Sequence, residues 1–314
     1  MLRVLSLTDR FPTPGGKTPA TPTRPGVTFE RRRGERRALV TPDGIRIESE
    51  HLPPADGSRY LAVVLAHGFT LHSRHPAVRQ VATWLAAARD GAGTRVGVVL
   101  VDLRGHGGSG GRSTVGDAEV YDVAAAVQWA RVLGYRRVAT LGFSLGAAVV
   151  LRHAALHADV DAVAAVSGPG QWYFRGTAPM RLLHRGVETR IGRAALGLLW
   201  RTRVSARQWA PPYPLNPAED VASIEVPLLL VHGRLDPYFP VDHAVALDEA
   251  AGGRAELWLE DDYGHAESAL SQALARRIGA WLQAATTARG IGSGTTTGGS
   301  GFAPRSRSSP AKSA

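Results

Sequence analysis

Short, unbroken apolar runs alternate along this chain with amphipathic ones. RYLAVVLAH (59–67), RVGVVLVDL (95–103), RRVATLGF (136–143), DAVAAVSG (161–168) and VPLLLVHG (226–233) place apolar side chains at successive positions. A strand with one wet face alternates apolar and polar residues, so strands without alternation are covered on both faces. The covering elements are the segments between them: HPAVRQVATWLAAARD (75–90), VGDAEVYDVAAAVQWARVLG (115–134), LGAAVVLRHAALH (145–157) and VDHAVALDEAAG (241–252) have helical character. RAELWLE (254–260) adds a late strand and ESALSQALARRIGAWLQAA (267–285) a last helix. The pattern predicts an α/β fold with a doubly wound, mostly parallel sheet. ERRRGERRALVTPDGIRIESEHL (30–52) predicts an antiparallel start that turns at Pro42, Asp43 and Gly44.

One connection is too long for a simple crossover. Gly168 to Glu225 spans 58 residues and carries Trp172, Tyr173, Phe174, Trp200, Trp209 and Tyr213, together with the apolar stretch AALGLLW. Its length and aromatic content predict a small helical cap, about 170–222, over the ends of the strands. Outside the body, FPTPGGKTPATPTRPG (11–26) reads as part of an irregular arm covering residues 1–27. Residues 286–314, rich in Gly, Ser and Thr, read as a disordered basic tail. The folded domain is therefore expected over 28–285.

Composition narrows the class. The net charge of +10 is confined to the ends: residues 1–37 contribute +6, residues 286–314 contribute +4, and 38–285 hold 24 basic and 24 acidic residues. A neutral body with basic ends does not make a phosphate-binding face, so no nucleic-acid partner is expected. RRRGERR (31–37) reads as a solvated charged run. No run reaches the roughly 18–20 apolar residues that span a bilayer, which excludes stable membrane insertion. The start, MLRVLSLTDRFPTP, makes a poor signal peptide, so a cytoplasmic location is expected. With no cysteine, the chain has neither disulfides, a thiol nucleophile nor thiolate metal ligands.

The chemistry centres on GFSLG, Gly142 to Gly146, which lies between the strand VATLGF and the helix LGAAVVLRHAALH. There Ser144 occupies a sharp strand-to-helix turn, and glycines on both sides remove Cβ atoms that would strike neighbouring backbone. The helix start directs free N–H groups and its positive dipole end toward the same point. A serine hydroxyl needs a base, and the base needs an orienting acid. Asp236 follows the strand PLLLVHG, and His265 follows RAELWLE just before the last helix. Both stand at carboxyl ends of strands, on the side of the sheet that carries Ser144. Asp261 and Asp262 are rival acids, but their position just ahead of His265 on one segment makes its Nδ1 hard to reach. His243 falls in a helix and His232 inside its strand. Negative charge on an attacked carbonyl needs two amide donors. Leu145 supplies one, and the loop HGFT after LAVVLA supplies the other through Phe69, with Thr70 as the alternative. Phe69, Trp172, Trp200 and Trp209 are the expected pocket residues, facing a small-molecule acyl substrate of apolar character.

With these residues in view, the chain resembles the α/β-hydrolase superfamily, in its serine hydrolase (esterase and lipase-like) branch. HGF (67–69), DLRGHGGSG (102–110), GFSLG (142–146), HGRLD (232–236) and GH (264–265) stand in the family's order, across roughly residues 38–285. The resemblance implies a sheet of about eight strands with a cap inserted after the sixth, a Ser144, Asp236 and His265 triad, and no metal or organic cofactor. Serine at 144 argues against the family's dehalogenase and epoxide hydrolase branches, whose nucleophile is aspartate, and HGF departs from the HGGG form of one lipase branch. The activity so implied is cleavage of a carboxylic ester through an acyl-enzyme. The alternatives are a thioesterase, lactonase, amidase or peptidase with the same triad, or a non-catalytic binding protein of this fold.

Other signals carry less. GHGGSG (105–110) matches G-x-G-x-x-G, but it starts beyond its strand and GRSTVGD delays the next helix, so it reads as a structural loop in which Asp102 and Arg104 pair. His67, His72, His75, Asp102 and His106 do not make a compact metal-ligand pattern. Trp84, Trp129 and Trp281 fall in helical patterns and are expected to pack on the sheet.

Overall fold

The computed structural model describes residues 34–87 and 95–292. The expected arm (1–27) and the tail beyond 292 lie outside the described residues. Eight strands form one sheet: β1 (Glu35–Val40), β2 (Arg46–Leu52), β3 (Leu61–Ala66), β4 (Gly97–Val101), β5 (Arg137–Phe143), β6 (Ala162–Val166), β7 (Leu228–Gly233) and β8 (Ala255–Glu260). Their order across the sheet is β1-β2-β4-β3-β5-β6-β7-β8. β1 and β2 pair antiparallel across the Pro42–Gly44 turn, β2 is antiparallel to β4, and all later pairings are parallel.

The unbroken apolar runs explain the layering. In β3, Ala62, Val64 and Ala66 enter the core on one face, while Leu61, Val63 and Leu65 enter a second core on the other. Successive side chains of a strand point to opposite faces, so an apolar residue at every position requires helices on both sides. The first face is covered by α2 (Val120–Val132), α3 (Leu145–Leu156) and α7 (Asp242–Ala251), which contribute Val127, Val150 and Leu247. The second is covered by α1 (Pro76–Ala87) and the last helix, through Val81 and Ile278. Trp129 is buried in the first core, and Trp84 and Trp281 pack against the second.

Between β6 and β7 the long connection forms α4 (Ala178–Glu188), α5 (Arg190–Trp200) and α6 (Pro217–Val221). Thr177 caps α4 by accepting from the Met180 N–H, and Thr189 ends α4 and caps α5 by accepting from Gly192 N–H. The chain then returns along the loop that follows β4. Ser113 N–H donates to Arg203 O at 2.7 Å, Arg203 N–H to Gly105 O at 2.8 Å and Ser205 N–H to Ser113 O at 2.8 Å.

Three expectations need correction. The single last helix is interrupted: α8 (Ala266–Ala269) stops at Leu270, and α9 (Gln272–Gly292) restarts where the Ser271 hydroxyl accepts from Leu274 N–H. α9 also runs past the expected tail boundary at 286. Its apolar face of Leu274, Ile278 and Leu282 continues into buried Thr286, whose hydroxyl donates back to Leu282 O, and no glycine intervenes before Gly290. Arg104 does not pair with Asp102. Its guanidinium is bound by Asp122 of α2 and by Asp43 of the β1–β2 turn, at 2.8 and 2.6 Å. Asp102 accepts instead from the N–H groups of Ser73 and Gly108. β4 ends at Val101, and Arg104 lies in the turn closed by the bond from His106 N–H to Leu103 O, where its own N–H also donates to Asp122.

Candidate active site

Ser144 joins β5 to α3 with φ 51° and ψ −113°, a left-handed backbone that costs a non-glycine residue about 1–3 kcal/mol. The conformation is held by a bond from Ser144 N–H to Val166 O at 2.9 Å. The flanking glycines are obligatory on steric grounds. A Cβ on Gly142 would lie 2.2 Å from Gly146 O, and one on Gly146 would lie 2.3 Å from Ala66 O. The tight turn is thus where β5, α3 and the end of β3 touch backbone to backbone.

His265 and Asp236 arrive from the ends of β8 and β7. The Ser144 hydroxyl donates to His265 Nε2 at 3.0 Å, and His265 Nδ1–H donates to Asp236 Oδ2 at 2.7 Å. The Asp236 side chain is fully buried, and its other oxygen accepts the N–H groups of Tyr238 and Phe239 at 2.8 and 3.0 Å. His232 comes within 3.8 Å of this carboxylate, but burial depresses its pKa and its Nε2–H donates to Phe239 O. A neutral His232 leaves the carboxylate charge to His265 alone. The rival acids are elsewhere: Asp261 is exposed and paired with Arg234, and Asp262 is exposed.

The sequence profile described as the Alpha/beta hydrolase family matches residues 63–277. The chain belongs to the alpha/beta hydrolase family. Solved structures repeat this hydrolase's fold at low sequence identity. An esterase from Pyrococcus furiosus is 23% identical, with 85% of this chain and 100% of that one covered, at a TM-score of 0.60. The esterase domain of a Rhodothermus marinus protein is 22% identical, covering 80% and 97%, at 0.56. Est1E from Butyrivibrio proteoclasticus, with ferulic acid bound, is 18% identical, covering 80% and 99%, at 0.57. A search of curated protein sequences gave no match.

In this hydrolase the loop after β3 passes against the serine. A Cβ built on Gly68 would lie 3.5 Å from Ser144 Cβ. Phe69 follows it, half-buried, with its ring edge-on to His106, and Thr70 adopts φ 68°. Leu145 opens α3, so its N–H is among those a helix start leaves without an internal acceptor.

Sequence reasoning missed the acid behind this loop. Glu267 is buried in α8, and its Oε1 accepts Gly68 N–H at 2.7 Å, while Oε2 has no partner among the described residues. Loss of hydration raises its pKa from 4.5 to about 7, against the lowering effect of the Gly68 N–H. The folded protein therefore holds this proton where the unfolded chain has lost it. Stability falls as pH rises from the unfolded value through about 7, by at most about 3 kcal/mol. Glu267→Gln keeps the acceptor for Gly68 and has nothing to titrate. In urea unfolding it should match the wild type near pH 5 and exceed it at pH 8; a constant difference between the two across that range would mean that Glu267 does not titrate there.

Of the four expected pocket residues, Trp172 and Trp209 meet each other, and Phe69 and Trp172 pack against the same core. The Trp172 and Trp209 rings meet edge to face at 5.7 Å and are tied by indole N–H bonds to Leu215 O and Thr114 O. Trp200 ends α5 and is 39% exposed. The rings next to His265 are Tyr238 and Phe239, with centroids 4.4 and 5.7 Å away. Phe174 of the long connection reaches toward them, packing at 6.2 Å from Phe239 and 4.4 Å from His243. The signal for these rings was the PYFP run directly after Asp236. His67, directly after β3, is structural: its Nδ1–H donates to Gly68 O, its Nε2 accepts Leu103 N–H, and burial lowers its pKa to about 3. No group of three or more potential ligands for a metal occurs among the described residues.

Proposed function

We propose that this alpha/beta hydrolase is a serine hydrolase that cleaves a carboxylic ester, or a related acyl compound of apolar character, through an acyl-enzyme. His265 takes the Ser144 proton as the oxygen attacks the carbonyl. The amides of Leu145 and Phe69 receive the negative charge, and the leaving group departs with a proton from His265. Water activated by the same imidazole then releases the acid. The observation that carries this reading is one ring spanning both partners, 3.0 Å from the Ser144 hydroxyl and 2.7 Å from the Asp236 carboxylate. A binding-only protein has no use for that alignment or for the backbone strain at Ser144. The rings of Tyr238 and Phe239 lie beside the imidazole, with Phe174 packed behind Phe239, an aromatic setting that favours an apolar acyl group over a charged one.

The test is a fluorophosphonate probe together with a panel of p-nitrophenyl esters and matched thioesters and anilides. The probe should attach to the Ser144 peptide, and apolar acyl chains should outpace charged ones. Attachment elsewhere, or equal labelling of Ser144→Ala, would remove the nucleophile from the scheme; the panel ranks ester above thioester and amide, or reverses them.

A further inference from the structure

The neutral charge of residues 38–285 hides a division. From Tyr173 to Leu215 there are eight arginines, no lysine and a single acid, Glu188, a net +7 balanced by −7 over the remainder of that range. Seven of the eight arginines are exposed; Arg193 alone is half-buried. The same segment holds eight of the fourteen large apolar side chains that are exposed among the described residues. The two properties coincide on the α4–α5 hairpin. α5 packs inward through Leu196 and through Gly192, where a Cβ would lie 2.5 Å from Gly186 O of α4. On the opposite side Ile191, Ala194 and Leu198, spaced three and four apart, form an apolar stripe, with Ile191 85% and Leu198 83% exposed. α4 presents Arg181, Leu182 and Arg185 to solvent, and Arg190 opens α5.

We propose that the α4–α5 hairpin is a docking surface for an anionic lipid bilayer, with the apolar stripe entering the headgroup layer and the arginines meeting lipid phosphates. An interfacial helix needs this combination of a hydrophobic face with cationic neighbours, and length is not its criterion. Charge selects this occupant over others. A second copy docked face to face would set one +7 surface against another. The chain's own ends, +6 over 1–37 and +4 over 286–314, carry the same sign and are repelled likewise. A nucleic acid would satisfy the arginines but leave the stripe of Ile191 and Leu198 against water or phosphate. Thr177 Oγ1 donates to Tyr238 O at 2.9 Å, so a bilayer on this hairpin lies next to the turn that holds Asp236. The binding surface does not depend on the hydrolase reading.

Flotation of the full chain with vesicles tests it, using pure phosphatidylcholine and phosphatidylcholine containing 30 mol% phosphatidylglycerol. The wild type should float with the anionic vesicles and stay behind with the neutral ones, and 0.5 M NaCl should release most of it. An arginine close to an anionic surface strengthens binding about fivefold, so Arg181→Glu/Arg185→Glu/Arg190→Glu should weaken binding by at least about a hundredfold. Ile191→Ser/Leu198→Ser should weaken it about tenfold or more at unchanged Tm, since both side chains are already in water. Ser144→Ala should float as the wild type does, which separates this result from any failure of the catalytic scheme. Equal flotation with both vesicle types, or either surface variant binding like the wild type, overturns the proposal. A wild-type dimer that Ile191→Ser/Leu198→Ser converts to monomer, without vesicle binding, assigns the face to self-association and overturns it too.

Discussion

Ser144→Ala is expected to lower kcat on any accepted p-nitrophenyl ester by about 10⁵–10⁶-fold, with KM changed little. Losing a triad nucleophile costs about as much as losing the whole triad, because base and acid have nothing left to activate. The substitution removes one oxygen from a half-buried position and leaves the Cβ, so the strained turn and the bond from residue 144 N–H to Val166 O persist. Tm should therefore stay close to the wild-type value, and a fall in kcat with intact Tm is the informative result. Turnover within tenfold of the wild type would mean that another group attacks the carbonyl.

The second large effect is at Asp236. Asn at this position cannot choose its orientation freely. The N–H groups of Tyr238 and Phe239 point at one oxygen, so the amide carbonyl must take that place and the NH2 must face His265. Nδ1 of the ring then has to accept, which moves its proton to Nε2 and turns the base into a donor toward Ser144. A loss in kcat of about 10⁴-fold follows from the wrong tautomer, as in other triads. Steady-state kinetics on the purified variant checks it. Retention of more than a hundredth of wild-type kcat would indicate that Asp236 does not set the tautomer. Glu267 would not take over, since it faces Gly68 and not the imidazole.

Much of this site could be read in the sequence because it is built on strand ends. An apolar run locates a strand and its last residue locates the rim; Ser144 and Asp236 each follow such a run within a few positions, and His265 follows the mixed strand RAELWLE. The turn glycines 142 and 146 carry an equally local requirement. Features created by burial had no such trace. Glu267 looks like an ordinary acid at a helix start, and only the folded chain removes its water and sets it against the Gly68 N–H in the loop after β3. Arg104 shows the same limit: in sequence it has Asp102 beside it, while its real partners, Asp43 and Asp122, come from a turn and a helix that folding brings in. The aromatic residues of the long connection were recognisable as a group but not as individuals. Trp172 and Trp209 hold each other, whereas Tyr238 and Phe239, in a segment that seemed only to carry Asp236, flank the imidazole. The charge division was concealed for a different reason, since an equal number of acids elsewhere cancels the arginines in any count over the whole body.

The backbone bonds that join Arg203 and Ser205 to Gly105 and Ser113 bear on how this hydrolase can change over evolution or in the laboratory. They fasten the returning limb to the main body, while at the other side Thr177 is tied to Tyr238. The two helices between these fixed points form an exchangeable cassette. Its sequence can be rewritten, or replaced by a hairpin from another member of the family, with both splice points anchored to the scaffold and the catalytic groups outside the exchanged piece.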